Sequence, residues 1–383
     1  MSKKIKVLTV FGTRPEAIKM APLVLELERN PQITSICCVT AQHREMLDSV
    51  LEIFHITPDF DLDIMEPSQT LSTITAKTLA GMDGVLKELK PDVVLVHGDT
   101  STTFTAALSS FYHQIPVGHV EAGLRTYDKY SPFPEELNRT MVSQIAALHF
   151  CPTQSNLENL HREHITDGVF LTGNTVIDAM KTTVKEGFEF TYPLLNELDF
   201  DHKKVILVTC HRRENYGAPM TQIMTALRRL AVDFPEAELV YPVHLSPVVQ
   251  GAANQYLGNL ENVHLIPPLG VDEMHNLMAR CHFVMTDSGG LQEEAPSLGK
   301  PVLVLRQETE RPEAVAAGTV KLAGVLEEEV YRCGAELLTD ESAYQCMAKA
   351  ENPYGDGEAC PRIVDAILWH FGVKSEKPLP FTP

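Results

Sequence analysis

Short apolar runs alternate with longer amphipathic segments along nearly the whole of this chain. A run such as Val93–Val96 is apolar throughout and bounded by turn-forming residues, which is typical of a strand buried in a parallel sheet. Segments such as Pro15–Glu28 and Leu71–Lys90 instead carry apolar residues at helical spacing. Because parallel strands must be joined by crossover connections, the alternation predicts an α/β fold with doubly wound parallel sheets.

The predicted strands form two series, separated by the stretch Lys185–Lys203, which lacks clear strand character. The first series comprises Ile5–Val10, Ile33–Thr40, Val93–Val96, Pro116–Val120, Ala147–Cys151 and Val169–Thr172. The second comprises Lys204–Thr209, Glu238–Val243, Val263–Ile266, Phe283–Thr286 and Pro301–Leu305. Because 383 residues are many for one core, we predict two domains, residues 1–172 and 173–383, facing a cleft. The last amphipathic segment, Arg362–Phe371, is compatible with packing on either domain.

Composition excludes several classes of partner. The net charge of −19 and the isoelectric point of about 5.2 argue against binding to nucleic acid or anionic membranes, which both require a basic face. The opening MSKKIKVLTVFG lacks a small-residue cleavage site, and no apolar stretch reaches the roughly 18 residues of a membrane span. The eight cysteines form no C-x-x-C pair, which favours reduced thiols in a cytoplasmic protein.

Common cofactor signatures are missing from the sequence. The first predicted strand leads into Phe11–Glu16, which has one glycine and no G-x-G-x-x-G, and the chain has no G-x-x-x-x-G-K-[ST]. Zinc ligation by His97, Asp99, His119 and Glu121 is an alternative, but no H-x₃-H spacing supports it. We therefore expect neither a bound cofactor nor a metal.

Three carboxylates within 37 residues lie where an open α/β sheet would present its active site. Asp99 lies at the exit of Val93–Val96, Glu121 at the exit of Pro116–Val120, and Glu135 at the start of a predicted helix. Open parallel sheets bind ligands beyond the carboxyl ends of their strands, so these carboxylates predict acid–base chemistry at that edge.

Cations and glycines at other strand exits suit a phosphate. Arg14 and Lys19 follow the first strand and suit a diphosphate, with the alternative that Arg14 pairs with Glu16 and Lys19 is solvated. The turn Ser288–Gly290 precedes a predicted helix, so its backbone N–H groups can approach a phosphate; an ordinary tight turn is the alternative.

Further polar residues follow the strands of the second series. Glu293 or Glu294 can accept hydrogen bonds from a ribose diol. The cluster His211–Arg213 indicates phosphate contact or acid–base work, with a structural ion-pair network as the alternative. Arg311 follows the strand Pro301–Leu305 and adds a cation.

Taken in order, these motifs resemble those of the non-hydrolysing UDP-N-acetylglucosamine 2-epimerases. The resemblance rests on FGTRPEAIKM, HGDTSTT, GHVEAGLRT, SPFPEELNR, GNTVID, HRREN, YPVH, TDSGGLQEE, LRQETERPE and NPYGDG. It implies two Rossmann-like domains of glycosyltransferase-B type in a bacterial cytoplasmic homodimer without a cofactor. It further implies reversible conversion of UDP-GlcNAc to UDP-ManNAc through loss and re-addition of UDP, which would supply ManNAc for cell-surface polysaccharide.

The resemblance also implies roles for individual residues. The catalytic set is Asp99, Glu121, Glu135 and His211. The residues expected to contact UDP are Arg14, Lys19, Leu269, Met274, Ser288, Gly289, Gly290, Glu294 and Arg311. The region where relatives bind a second UDP-GlcNAc as an activator contains Gln42, Glu136, Arg212 and His244.

The chain departs from the family pattern at three of its positions. Met274 stands where many relatives have an aromatic residue near the uracil, so thioether packing replaces some stacking. Glu45 stands where relatives commonly have Gln, and Ser68 where they have Arg. Since Ser68 cannot neutralise a phosphate, we expect the activator site to be weak or lost.

Three other functions remain open at this point. A hydrolysing epimerase would share the carboxylates and the glycine turn but release UDP and free ManNAc. A retaining glycosyltransferase would need an acceptor and not a carboxylate on each sugar face. A non-catalytic UDP-sugar sensor would bind the substrate without exchanging the hydrogen on carbon 2.

Overall fold

A computed structural model describes residues 4–41, 44–66 and 69–382. The described residues form two compact units, one within Met1–Thr182 and Tyr354–Thr382 and the other within Thr183–Pro353. Each unit contains one parallel sheet with helices in the connections. The predicted α/β fold with two doubly wound sheets is confirmed.

The first unit contains a seven-stranded parallel sheet within the described residues, in the order β3-β2-β1-β4-β5-β6-β7. Its strands are β1 (Ile5–Phe11), β2 (Ile33–Val39), β3 (Phe60–Asp61), β4 (Val93–His97), β5 (Val117–Val120), β6 (Leu148–Cys151) and β7 (Val169–Leu171). Its helices are α1 (Arg14–Arg29), α2 (Arg44–Ile53), α3 (Leu71–Leu89), α4 (Ser101–Tyr112), α5 (Glu135–Ile145), α6 (Gln154–Arg162) and α7 (Thr175–Thr183).

The second unit has a six-stranded parallel sheet among the residues that the structure describes, in the order β10-β9-β8-β11-β12-β13. Its strands are β8 (Lys204–Thr209), β9 (Ala237–Pro242), β10 (Val263–Ile266), β11 (Phe283–Thr286), β12 (Val302–Val304) and β13 (Val320–Leu322). Its helices are α8 (Leu194–Glu197), α9 (Ala218–Asp233), α10 (Pro247–Leu257), α11 (Val271–Arg280), α12 (Gly289–Ser297), α13 (Pro312–Ala317), α14 (Glu327–Thr339) and α15 (Glu341–Ala348), with a 3₁₀ turn at Arg213–Asn215.

The strand order indicates where each sheet can bind a ligand. The order reverses between β1 and β4 in the first unit and between β8 and β11 in the second. Connections on the two sides of such a point diverge and leave a crevice at the carboxyl ends of the strands. All five residues of β4 are buried, so its sequence is a continuous apolar run that ends in a histidine.

The observed boundary between the two units differs from the boundary that we predicted between residues 172 and 173. The first unit extends to Thr182 and takes back Tyr354–Thr382, which contains the last helix, α16 (Ala359–His370). The carboxylate of Asp178 in α7 accepts hydrogen bonds from the backbone N–H groups of Ala359 (3.2 Å) and Cys360 (2.8 Å). Helix α16 also packs against α1, which makes it part of the first unit.

None of the helices in the described ranges combines the length and the apolar character that crossing a bilayer requires.

Candidate active site

Glu121 is the centre of a charged cluster at the carboxyl end of β5. Its backbone has a φ of 61°, in the left-handed region, so the chain turns sharply as it leaves the strand. The carboxylate forms an ion pair with Lys19, Nε2 of His97 lies 3.4 Å from Oε2, and the Asn174 amide donates to Oε2 at 3.4 Å. Burial alone would raise the pKa of Glu121, but Lys19 and His97 hold this pKa well below its usual range. Glu121 is therefore ionised at neutral pH.

Asp99 lies two residues beyond β4 and has the opposite electrostatic character. Arg139 Nη2 lies 3.1 Å from its Oδ2, and the Asn138 amide donates to its backbone carbonyl at 2.9 Å. Burial raises the pKa of Asp99, the negative charges of Glu121 and Glu135 raise it further, and Arg139 opposes them. Asp99 therefore holds a proton more readily than an ordinary aspartate.

The pKa values of the two carboxyl groups are shifted in opposite directions. Asp99 and Glu121 follow neighbouring strands, since β4 pairs with β5, and their charges influence each other. Two titratable groups whose environments move their pKa values apart can serve as proton donor and proton acceptor. Glu135, the half-buried first residue of α5, adds a third carboxylate to this group.

Glu16 holds the loop that follows β1, a role that the sequence analysis did not assign. Its Oε2 accepts hydrogen bonds from the backbone N–H groups of Gly12 (3.1 Å) and Thr13 (2.8 Å). Its Oε1 accepts from the Thr100 hydroxyl at 2.8 Å. The carboxylate is thus used for helix capping, not for pairing with the exposed Arg14. The T-x-x-E spacing from Thr13 is the capping-box signal that could have revealed it.

Lys19, which we expected beside the diphosphate, forms an ion pair with the carboxylate of Glu121. The helix α1 starts at Arg14 and places Lys19 in its second turn, on the side facing β5. Its position follows from the tertiary packing of α1 and not from the local sequence.

Asp287 organises the corresponding edge of the second unit. It follows β11, is fully buried, and its Oδ2 accepts hydrogen bonds from the backbone N–H groups of His211 (2.8 Å) and Arg212 (2.7 Å). The Asn215 amide donates to the same oxygen at 3.0 Å. Asp287 thus shapes the loop after β8. In the sequence, the feature that could have indicated this role is its position at a strand exit beside the glycine turn.

Two guanidinium groups converge on the start of α12. A Cβ atom built on Gly289 would lie 3.7 Å from Nη2 of Arg212 and 3.7 Å from Nη2 of Arg311. The helix begins at Gly289, so its unpaired N–H groups and positive dipole end lie beside two cations. This arrangement suits a phosphate or diphosphate.

The two glutamates of α12 have different partners. Glu293 forms an ion pair with Arg311, which holds that guanidinium beside Gly289. Glu294 lies 3.6 Å from Nε2 of the buried His275, with Oε1 near Gly290. Of the two, Glu294 is the better placed to accept a ligand hydroxyl beside the glycine turn.

The remaining predicted residues of this unit lie at its strand exits and on α11. The rings of His211 and His244 stack with centroids 5.2 Å apart, and burial lowers the pKa of His211, so its imidazole is neutral at pH 7. Leu269 follows β10 and Met274 lies on α11, and both are half-buried.

The residues expected to bind an activator have varied positions. Gln42 and Ser68 lie outside the described residues. Glu136 is buried, and its two oxygens accept hydrogen bonds from the backbone N–H groups of Thr126 (3.0 Å) and Tyr127 (2.8 Å). Arg212 contributes to the cation pair at Gly289, as described above. The carboxylate of Glu136 therefore already supports a loop. The other departure, Glu45, is exposed near the start of α2.

The parts of the chain that the structure describes contain no group of three or more His, Cys, Asp or Glu side chains arranged to hold a metal ion.

Comparisons with known proteins agree on one family. A family model described as UDP-N-acetylglucosamine 2-epimerase matches residues 25–368. A Bacillus subtilis (strain 168) protein named UDP-N-acetylglucosamine 2-epimerase is 58% identical over 381 residues, which cover 99% of each chain. A solved structure of a UDP-N-acetylglucosamine 2-epimerase has a TM-score of 0.92 at 57% identity and covers 100% of both chains. The Neisseria meningitidis UDP-GlcNAc 2-epimerase, solved with bound UDP-GlcNAc, has a TM-score of 0.85 at 50% identity and covers 95% of this chain and 100% of its own.

Proposed function

Because this chain belongs to the UDP-N-acetylglucosamine 2-epimerase family, we propose that it reversibly inverts carbon 2 of UDP-GlcNAc to give UDP-ManNAc, without hydrolysis. The observation that carries this proposal is the pair formed by Asp99 and Glu121. These carboxyl groups follow adjacent strands, and their pKa values are displaced in opposite directions. A reaction that moves a proton to and from two faces of one carbon requires such a pair.

The chemistry couples proton removal to departure of UDP. The hydrogen on carbon 2 is not next to a carbonyl, so its removal alone is prohibitive. When a carboxylate takes this proton, the C2–H electrons form the C1=C2 double bond, and the C1–O bond breaks with its electron pair leaving on UDP. The products of this step are 2-acetamidoglucal and UDP.

The return step inverts the centre. An oxygen of the UDP diphosphate bonds to carbon 1, and carbon 2 receives a proton on the opposite face from a carboxylic acid. No water is consumed, and substrate and product have the same oxidation state. The protein therefore needs no hydride carrier for this reaction, in line with the expectation that it has no cofactor.

Each carboxyl group has a proposed role. Glu121, held ionised by Lys19, takes the proton from one face. Asp99, whose pKa is raised, delivers the proton to the other face, and the two exchange roles in the reverse direction. Glu135 completes the set at the start of α5, where its charge favours the protonated form of Asp99. His211 is neutral and can donate one hydrogen bond to substrate without adding charge.

We assign UDP binding to the second unit. The start of α12 together with Arg212 and Arg311 suits the diphosphate. Glu294 suits the ribose hydroxyls. Leu269 and Met274 supply apolar contacts for the uracil. The Neisseria meningitidis relative binds UDP-GlcNAc, which supports this class of ligand.

The deciding experiment incubates the purified protein with UDP-GlcNAc in heavy water. We expect UDP-ManNAc that carries deuterium on carbon 2, together with deuterated UDP-GlcNAc. Accumulation of UDP and free ManNAc would identify a hydrolysing enzyme instead. Binding of UDP-GlcNAc without deuterium incorporation would identify a sensor.

Three wider expectations from the family resemblance remain proposals: a homodimer, a cytoplasmic location, and supply of ManNAc units to cell-surface polysaccharide. Sedimentation of the purified protein tests the first. Loss of ManNAc-containing polymer after deletion of the gene tests the last.

A further inference from the structure

His119 lies inside the sheet and contacts the loop that carries Asp99. It is a residue of β5 and is fully buried, and its Nε2 lies 2.7 Å from the backbone carbonyl oxygen of Gly98. Burial lowers the pKa of His119 to about 3, so the ring is neutral. Since a carbonyl oxygen only accepts, the single ring proton is on Nε2 and His119 donates to Gly98.

Gly98 is held by β5 at both of its polar backbone atoms. Its N–H donates to the carbonyl of Val120 at 2.9 Å, and its carbonyl accepts from His119. Its φ of 65° lies in the left-handed region, which glycine adopts without strain. A glycine has no Cβ to restrict rotation, so these two hydrogen bonds define the backbone conformation directly before Asp99.

The other contacts of Asp99 come from a different element. Asn138 donates to its carbonyl, and Arg139 pairs with its carboxylate, and both belong to α5. His119 therefore supplies side-chain support from β5, two residues before Glu121 in the chain. One strand thus carries Glu121 at its end and, through Gly98, also orients Asp99.

We propose that His119 is a positioning residue that fixes Asp99, through the carbonyl of Gly98, in the geometry required for proton transfer. This inference rests on the proposed function. If the imidazole donor is removed, the buried Gly98 carbonyl loses this hydrogen bond. The Gly98–Asp99 peptide can then rotate. The Asp99 carboxyl group then loses its alignment with the substrate carbon, while the residues that we assign to UDP are unchanged.

The test compares three variants with the wild type. His119→Phe keeps a flat ring and removes the donor. His119→Gln keeps an amide N–H at about the distance of Nε2 from the backbone. His149→Phe is the matched control, because His149 is also a buried histidine, is the cross-strand neighbour of His119 on β6, and also has a lowered pKa, about 4.

We expect His119→Phe to lower kcat by at least ~10-fold, with the KM for UDP-GlcNAc and the Kd for UDP changed less than about twofold. His149→Phe should keep kcat within about twofold of wild type, although both substitutions reduce thermal stability, and His119→Gln should recover most of the lost kcat. Equal kcat values in the two Phe variants would overturn the proposal, as would a Gln variant no better than the Phe variant. If His119→Phe does not fold, His119→Asn, whose shorter amide cannot reach Gly98, takes its place.

A second measurement does not depend on turnover. The carboxyl ¹³C signal of Asp99, identified by its loss in Asp99→Asn, reports the pKa of this group directly. Release of the loop in His119→Phe exposes Asp99 to water and should move its raised pKa down towards 3.8. An unchanged titration would contradict the positioning role even if the protein proved not to be an epimerase. Failure of the wild type to exchange deuterium would instead overturn the proposed function.

Discussion

The ammonium group of Lys19 forms an ion pair with the carboxylate of Glu121, linking helix α1 to the carboxyl end of β5. The family resemblance implies that Lys19 contacts the diphosphate, and its position also makes it a determinant of the protonation state of a proposed catalytic base. The pair lies beside His97, the last residue of β4, and Asn174.

We predict that Lys19→Met shifts the acidic limb of the pH profile of kcat to higher pH. Lys19 lowers the pKa of Glu121, so its removal lets burial raise that pKa. A carboxyl group with a raised pKa stays protonated up to a higher pH, so Glu121 becomes an active base only above that pH. Turnover at pH 7 should therefore fall by at least ~10-fold and partly recover towards pH 9. Lys19→Arg, which keeps the charge, is the control; an unmoved acidic limb in the Met variant would contradict the assignment.

We predict that Asp99→Asn, Glu121→Gln and Glu135→Gln each lower turnover by at least ~10²-fold, the low end for acid–base groups. Each substitution keeps the shape of the side chain and removes its ionisable group. Deuterium incorporation at carbon 2 measures the effect. Asp83→Asn, which removes a carboxylate from the exposed pair with Lys87 on α3, is the matched control. A variant with near-normal exchange would exclude its residue from the catalytic set.

We predict that Arg311→Ala weakens UDP binding by roughly 1.5–3 kcal/mol, the value of one charge-assisted hydrogen bond. The guanidinium lies beside Gly289 at the start of α12, where Glu293 holds it in place. Titration calorimetry with UDP measures the change. Arg332→Ala on the exposed side of α14 serves as a charge-matched control. Equal affinities in the two variants would refute the phosphate assignment.

We predict that conversion of pure UDP-ManNAc starts without a long lag, because we expect the activator site to be weak or lost. Coupling between two ligands requires that one bind better to the state that the other favours. Ser68 offers no cation to a phosphate, and Glu136 already supports the loop at Thr126 and Tyr127. A progress curve is the measurement, and Ser68→Arg should introduce sensitivity to UDP-GlcNAc. A lag in the wild type that trace UDP-GlcNAc abolishes would show that activation is retained.

Local apolar patterning was sufficient for most of the fold. The predicted strands Lys204–Thr209, Val263–Ile266 and Phe283–Thr286 match β8, β10 and β11 residue for residue. Strands β3 and β13 were not predicted, because strands of two and three residues that are partly exposed leave no apolar run to detect.

The candidate site is less predictable from the sequence than the fold. The placement of Asp99 and Glu121 at one edge of the sheet follows from the rule that the carboxyl ends of parallel strands lie at the same edge. The partners that set their pKa values do not follow from it. Lys19 contacts Glu121 from a helix 102 positions away in sequence, and Arg139 reaches Asp99 from α5. Such contacts depend on how helices pack on the sheet, and no local pattern encodes them.

The contact between Asp178 and the start of α16 has a consequence for synthesis of the chain. The first unit is assembled from two sections separated by the whole of the second unit. As the ribosome proceeds from the amino terminus, the sheet β1–β7 emerges long before the helix that covers α1. The second unit has all of its strands available before that helix exists, so it can fold first. The nascent first unit therefore exposes the apolar surface of α1 that α16 covers until α16 has been synthesised.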